Sequence, residues 1–235
     1  MEWWKLLILI IGSYLIGNIF FARIISRAKK YDISKSGSGN PGTMNMLRNL
    51  GFSIGLLTLV LDMLKGVIPA LAGFFMFGGY QGGTNAYIGL FVGGLSALVG
   101  NIFPVFYRFK GGKGAAVVYG MYCVAQPWLG LIVFVCGFFY LLVFDYASLL
   151  SFCMITTFTI YEAYSLGIMS GSGNIIISFL LFAIFCLVWF AHRNNIFRLL
   201  IGKENRVNFK EKIFKHKNKK ISKQEIAEIK QKEIG

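Results

Sequence analysis

The stretch Ser36-Gly-Ser-Gly-Asn-Pro-Gly-Thr-Met-Asn-Met-Leu-Arg48 is a polar, glycine-rich segment between two long apolar runs. Glycine lets backbone N–H groups approach a ligand closely, and serine, threonine and asparagine add side-chain donors. Arg48 closes the stretch with a positive charge. This combination predicts a polar loop between the apolar runs that binds an anion. Phosphate is the anion that fits best.

Apolar runs of about 20 residues recur on both sides of this loop, the length that a bilayer core of about 30 Å requires of a helix. The chain has 235 residues, of which 56% are hydrophobic and 14% charged. This composition excludes an ordinary soluble domain and predicts an all-α, polytopic integral membrane protein. The net charge is +14, and the basic residues lie between the apolar runs and in the tail. This placement is typical of residues that fix membrane topology. We therefore expect no nucleic-acid partner.

Seven transmembrane helices are predicted, and the fourth is short. They cover about residues 3–25, 52–77, 86–107, 115–125, 128–144, 146–164 and 175–190. With the N-terminus outside and the C-terminus in the cytoplasm, every Lys and Arg except Lys5 and Lys65 falls in a cytoplasmic segment. The topology also brings three polar motifs to one face of the membrane.

The second and third motifs are Phe109-Lys-Gly-Gly-Lys-Gly114 and His192-Arg-Asn-Asn-Ile-Phe-Arg-Leu199. A further polar pair, Asp62 and Lys65, lies within the second span, three residues apart and on one helix face. Ionisable groups are costly at membrane depth, so this pair should face the protein interior. Either an internal ion pair or a role at the site would explain it.

The surrounding sequence excludes several common kinds of binding and catalytic site. Gly37 to Gly42 matches a dinucleotide fingerprint by letter, but no βαβ unit surrounds it. Lys113 is followed by glycine rather than the Ser or Thr of a phosphate-binding P-loop. No aspartate lies five residues after His192, and neither a zinc site nor a Ser-His-Asp triad can be assembled. We expect no metal and no cofactor.

Four stretches, in this order and spacing, resemble the signatures of the bacterial acyl-phosphate:glycerol-3-phosphate acyltransferases (PlsY). They are Ser36–Gly42, Leu61-Asp-Met-Leu-Lys-Gly66, Pro104–Gly114 and His192–Leu199. The resemblance extends from Trp3 to about Glu204. It implies a seven-span enzyme of the bacterial inner (plasma) membrane with its active site facing the cytoplasm.

The implied reaction moves a fatty acyl group from acyl-phosphate to the 1-hydroxyl of sn-glycerol 3-phosphate, giving lysophosphatidic acid and phosphate for phospholipid synthesis. The resemblance implies catalytic roles for Ser38, Arg48, Lys110, Lys113, His192 and Asn195, substrate-binding roles for Gly37, Gly39, Asn40, Gly42, Asn45, Gly111, Gly112 and Ser148, and supporting roles for Asp62 and Lys65. Acyl-phosphate is already activated, so positioning and charge suffice without a protein nucleophile. The proton acceptor is either His192 or the substrate's own phosphate.

Three positions depart from the family pattern. Met44 and Val117 stand where threonine is usual, and Asn101 stands where histidine is common. A divergent paralogue with another acceptor is therefore an alternative. A multi-span organic-phosphate transporter and a non-catalytic lipid-binding scaffold are two further alternatives.

The chain divides into a membrane acyltransferase domain, residues 1–202, and a basic cytoplasmic tail, residues 203–235. The tail contains eleven basic and five acidic residues. It is predicted to contact anionic lipid head groups, although a solvated tail that only fixes topology is the other reading. We expect the protein to function as a monomer.

Overall fold

The computed structural model describes residues 2–168 and 174–213, and these contain helices and no β-strand. The helices are α1 (Trp3–Gly17), α2 (Phe21–Ala28), α3 (Thr43–Leu50), α4 (Phe52–Met76), α5 (Thr84–Ile102), α6 (Ala115–Ala125), α7 (Pro127–Val143), α8 (Ala147–Glu162), α9 (Ile175–Ala191) and α10 (Arg193–Leu200). A π-helical segment, Ala163–Ile168, continues α8. The all-α class is confirmed for the described residues.

Four helical stretches in this part of the chain are long and apolar enough to cross a bilayer. They are Trp3–Ala28, Phe52–Met76, Thr84–Tyr107 and Ala147–Leu166. A fifth span is formed if α9 and α10, which meet at an angle of 57°, are taken together. With 11 and 17 residues, α6 and α7 are shorter. The count of seven spans and their orientation therefore stay predictions.

The loop predicted from Ser36 to Arg48 is wrong in its second half, because α3 begins at Thr43. Met46 and Leu47 of this helix are buried, so one apolar face holds it against the bundle. The predicted first span corresponds to one apolar stretch, Trp3–Ala28, although its helix is interrupted near Asn18 and Arg23 lies on the separate helix α2. Such short helices depend on tertiary packing rather than on intrinsic propensity, and their sequences signal them poorly.

Glycines allow the central helices to approach backbone to backbone. Gly73 of α4 and Gly89 of α5 face each other's carbonyl groups, and Gly66 of α4 lies against the Val117 carbonyl of α6. Gly100 of α5 similarly lies against the carbonyl of Tyr14 in α1. Small residues are the usual means of close helix contact where lipid gives no hydrophobic driving force. As a result, α4 and α5 form a rigid centre for the bundle.

The close contact between α4 and α5 predicts that Gly73→Ala destabilises the protein, by about 1–3 kcal/mol, because the added methyl group meets backbone that cannot move aside. Gly12→Ala is the matched control, because nothing lies within 4 Å of the position its methyl group would take. Thermal unfolding in detergent should separate the two variants. Equal unfolding midpoints would contradict this packing.

Candidate active site

Polar groups from distant parts of the chain surround one cavity of about 380 Å³. Ser38 and Arg48 come from the first motif, Lys113 from the second, and His192 and Asn195 from the third. The cavity continues between α4, α7 and α8, where it is lined by apolar side chains, among them Leu56, Leu59, Phe134, Phe138, Leu150 and Met154. It therefore has a polar end and an apolar end.

Three helices begin at the polar end. Thr43 starts α3, Ala115 starts α6 and Ala147 starts α8, and all three residues line the cavity. His192 lines it as well, but this residue follows α9 and precedes α10, so the two helix dipoles oppose each other there. The N–H groups of a first helical turn have no partner within the helix, and the helix dipole places partial positive charge there. The cavity is therefore built to hold negative charge.

The glycine-rich loop is held in shape by Asn45. Its side-chain amide donates to the carbonyls of Ile33 and Ser36 at 3.2 and 3.0 Å, and its oxygen accepts from the Ser38 N–H at 3.1 Å. Gly37, at φ 57°, lies so close to Asn45 that a side chain there would collide with it. Asn45 and Gly37 shape the loop, and Ser38 is thereby directed to the cavity.

The second loop is fastened to the buried pair of α4. The Gly112 N–H donates to the Asn101 carbonyl at 2.9 Å, and the Asn101 side-chain oxygen accepts from Lys65 Nζ at 2.7 Å. Lys65, with 2% of its surface exposed, also lies 3.4 Å from Asp62. The predicted pairing of Lys65 with Asp62 is confirmed. Lys65 supports the loop from within the bundle, whereas Asp62 also borders the cavity.

Two cationic side chains border the cavity, and a third predicted one does not. Arg48 donates from Nε to its own helix carbonyl at Met44, 3.1 Å away, and burial lowers its pKa without removing its charge. Burial lowers the pKa of Lys113 to about 8, with a smaller effect of the positive charge on Arg198. Lys110 is exposed and its side chain does not line the cavity.

The third motif places a nitrogen lone pair and a fixed amide at the polar end. His192 Nδ1 lies 2.9 Å from the Val188 carbonyl, which can only accept, so Nδ1 carries the proton and Nε2 the lone pair. Asn195 donates to Glu204 Oε1 at 2.7 Å, and Arg198 donates to Oε2 at 3.0 Å. Glu204 therefore orients Asn195, and Arg198 balances the negative charge of Glu204.

Three buried polar atoms at the cavity have no hydrogen-bond partner among the described residues. They are Thr43 Oγ1, Ser148 Oγ and Asn195 Oδ1. Buried polar atoms in folded proteins are nearly always paired. Unpaired atoms around one cavity indicate hydrogen-bonding capacity that a bound molecule would satisfy.

The structure brings most of the predicted site residues to the cavity. Those that line it are Ser38, Asn40, Gly42, Asn45, Arg48, Asp62, Gly112, Lys113, Ser148, His192 and Asn195, and those that do not are Gly37, Gly39, Lys65, Lys110 and Gly111. Thr43, Asn101 and Glu204 also line it. Thr43 belongs to the predicted anion-binding stretch and Asn101 to the departures from the family pattern, whereas Glu204 was not predicted. A lone acidic residue after a basic motif was the available signal for Glu204.

Known proteins are similar to this chain over most of its length. A family model described as glycerol-3-phosphate acyltransferase matches residues 7–202. A protein of that name from Aquifex aeolicus (strain VF5) is 37% identical over 202 residues, which cover 86% of this chain and 99% of the relative. Another, from Finegoldia magna, is 36% identical over 208 residues, which cover 88% of this chain and 98% of the relative.

Two solved structures share the fold. They are crystal structures of PlsY, an integral membrane glycerol 3-phosphate acyltransferase, in its glycerol 3-phosphate and lysophosphatidic acid forms. Each has a TM-score of 0.73, with 34% and 33% identity; they cover 86% and 89% of this chain and 94% and 98% of the solved chains. Together with the apolar helices, this likeness confirms a membrane protein. The chain belongs to the glycerol-3-phosphate acyltransferase family.

Proposed function

We propose that this protein transfers a fatty acyl group from acyl-phosphate to the 1-hydroxyl of sn-glycerol 3-phosphate, releasing lysophosphatidic acid and phosphate. The observation that carries the proposal is that one cavity has both a cationic end and an apolar end. The reaction needs both, because its two substrates carry phosphate and one also carries an acyl chain. The relatives named as glycerol-3-phosphate acyltransferases support it.

The two ends of the cavity suit different parts of the substrates. Arg48, Lys113 and the N-termini of α3, α6 and α8 hold the phosphate groups, and Ser38 contributes its hydroxyl. Ser148 and Asn195 have unpaired oxygens that can accept from the hydroxyls of glycerol 3-phosphate. The acyl chain extends between α4, α7 and α8, where apolar side chains replace water around it.

The chemistry requires no covalent intermediate with the protein. The 1-hydroxyl oxygen attacks the acyl carbon, a C–O ester bond forms, and the bond from that carbon to the phosphate oxygen breaks. The proton of the hydroxyl passes to Nε2 of His192 or to the departing phosphate. Positioned donors stabilise the charge that develops on the carbonyl and phosphate oxygens, which is the main source of rate enhancement in such a site.

The proposed setting is the bacterial inner membrane, with seven spans, the N-terminus outside and the cavity facing the cytoplasm. The positive-inside rule supports this orientation, because every Lys and Arg except Lys5 and Lys65 falls in a segment predicted to be cytoplasmic. Binding of anionic lipids by the basic tail stays a prediction, since residues 214–235 lie outside the described residues. A functional monomer is part of the same proposal.

The identity of the acceptor alcohol needs its own test, because the three residues that depart from the family pattern all lie at the site. Met44, Asn101 and Val117 all line the cavity. Each replaces a side chain of different hydrogen-bonding capacity, so a different acceptor alcohol is the second candidate function. The donor half of the reaction is common to both candidates.

The defining experiment supplies purified protein with acyl-phosphate and a panel of alcohols, without acyl-CoA or acyl-carrier protein. We expect lysophosphatidic acid and phosphate in equal amounts with glycerol 3-phosphate, and little ester with glycerol or other phosphorylated alcohols. Ester with a different alcohol would establish the divergent acceptor. Product only with a thioester donor would exclude acyl-phosphate as the substrate.

Neutral substitutions of the cavity cations should slow turnover. Loss of one charge-stabilising donor costs about 10²–10³ in rate, and we expect this for Arg48→Ala and Lys113→Ala. Lys110→Ala is the matched comparison, because Lys110 lies in the same loop but is exposed. Initial rates measured on folded variants decide the point. Equal losses at Lys110 and Lys113 would contradict the assignment of Lys113 as the cavity cation.

The lowered pKa of Lys113, about 8, predicts a pH dependence. As pH rises through this value Lys113 loses its positive charge, so kcat/KM for the anionic substrates should fall above pH 8. The substrate phosphates, with a second pKa of about 6, keep the same charge over this range. Lys113→Arg should move the fall to higher pH, because arginine stays protonated. An unchanged profile in Lys113→Arg would assign the ionisation to another group.

A further inference from the structure

Residues 205–213, the C-terminal strap, follow the range matched by the family model and lie against the site. Val207 and Phe209 are 0% and 5% exposed, whereas Arg206, Asn208 and Lys210 are exposed. Residues 206–210 thus have one buried face and one open face, and residues 209–213 continue the strap as a helical turn. Its buried face packs with Leu47, Leu141, Phe52 and Leu150 from the elements around the cavity.

Asp145, in the turn between α7 and α8, fastens the strap by its backbone. The Asp145 carbonyl accepts from the Val207 N–H at 3.0 Å. The carboxylate accepts from the N–H groups of Asn208 and Phe209, each at 2.8 Å. Three consecutive N–H groups therefore depend on one residue, and hydrogen bonds to a carboxylate are among the stronger ones in proteins.

Phe209 fills the space between α4 and α7, two of the three helices that border the apolar end. Its ring centroid lies 5.9 Å from that of Phe52 in α4 and 5.5 Å from that of Phe138 in α7. Phe209 lines the cavity itself, as do Asn205, at the start of the strap, and Glu204, directly before it. The strap thus supplies a wall of the cavity where its polar and apolar parts meet.

We propose that the C-terminal strap, held by Asp145, seals the cavity against water, and that Phe209 thereby makes the protein specific for its alcohol acceptor over water. The proposal rests on the proposed acyl transfer. Water can attack the same acyl carbon, forming a C–O bond while the bond to phosphate breaks. The products are then a free fatty acid and inorganic phosphate, with the released proton passing to the solvent.

The need for a seal follows from the chemistry of an activated donor. Positive charge at the cavity assists any attack on acyl-phosphate, including attack by water, so selectivity must come from exclusion. Closed sites protect reactive groups from hydrolysis in this way. An aromatic ring packed between Phe52 and Phe138 is suited to the task, because it leaves no polar group to carry water inward.

The test measures two products of full-length protein in one reaction with acyl-phosphate and glycerol 3-phosphate. In wild-type protein we expect lysophosphatidic acid with little free fatty acid. Phe209→Ala should raise the ratio of fatty acid to lysophosphatidic acid by about tenfold, the scale of losing one packed aromatic side chain. Phe209→Leu, which keeps an apolar wall, should restore most of the selectivity. Phe179→Ala, at an exposed position on α9, is the control.

A second variant releases the strap while leaving Phe209 in place. Asp145→Asn replaces one acceptor oxygen with an NH₂ group facing backbone N–H donors, and asparagine tolerates the positive φ of 65° at this position. We expect faster tryptic cleavage after Lys210 and the same rise in fatty acid. This variant decides the matter if Phe209→Ala does not fold.

The outcomes separate the two proposals. Wild-type protein that forms no lysophosphatidic acid would overturn the proposed acyl transfer. Lysophosphatidic acid from wild-type protein, together with an unchanged product ratio in folded Phe209→Ala or in Asp145→Asn with a released strap, would overturn the seal and leave the acyl transfer standing.

Discussion

The proposed reaction depends on positive charge that the fold places around one cavity, where it can hold the phosphate groups of the substrates. Helices α3, α6 and α8 begin at the same cavity, and Arg48 and Lys113 line it as well. These partial and full charges repel one another when the cavity contains nothing. The glycine contacts between α4 and α5 and the bonds of Lys65 and Asn45 hold the surrounding segments in place against that repulsion.

The convergence of the three motifs could be predicted because charge has a strong preference for one side of a membrane. Counting Lys and Arg placed the motifs on one face, and the structure brings Ser38, Lys113 and His192 to one cavity. The pairing of Asp62 with Lys65 was equally predictable, since helical spacing alone places them on the same face. The first prediction rests on the side preference of charged residues, and the second on regular helix geometry.

What the sequence could not indicate depends on irregular backbone and on distant contacts. Lys110 and Lys113 are equivalent by letter, but Arg108 and Phe109 adopt positive φ, and the turn leaves Lys110 exposed. Helix α3 exists because Met46 and Leu47 find a buried surface. Glu204 acquires its place through Asn195 and Arg198, which belong to the preceding helix.

The ion pair of α4 also has a consequence for how the protein is made. A lone lysine at the position of Lys65 would oppose transfer of this helix into the bilayer, because a charged side chain at membrane depth is costly. Asp62 lies one turn earlier and cancels that charge locally. The nascent segment can thus partition into lipid as a neutral unit, before Asn101 has been synthesised to receive the ammonium group.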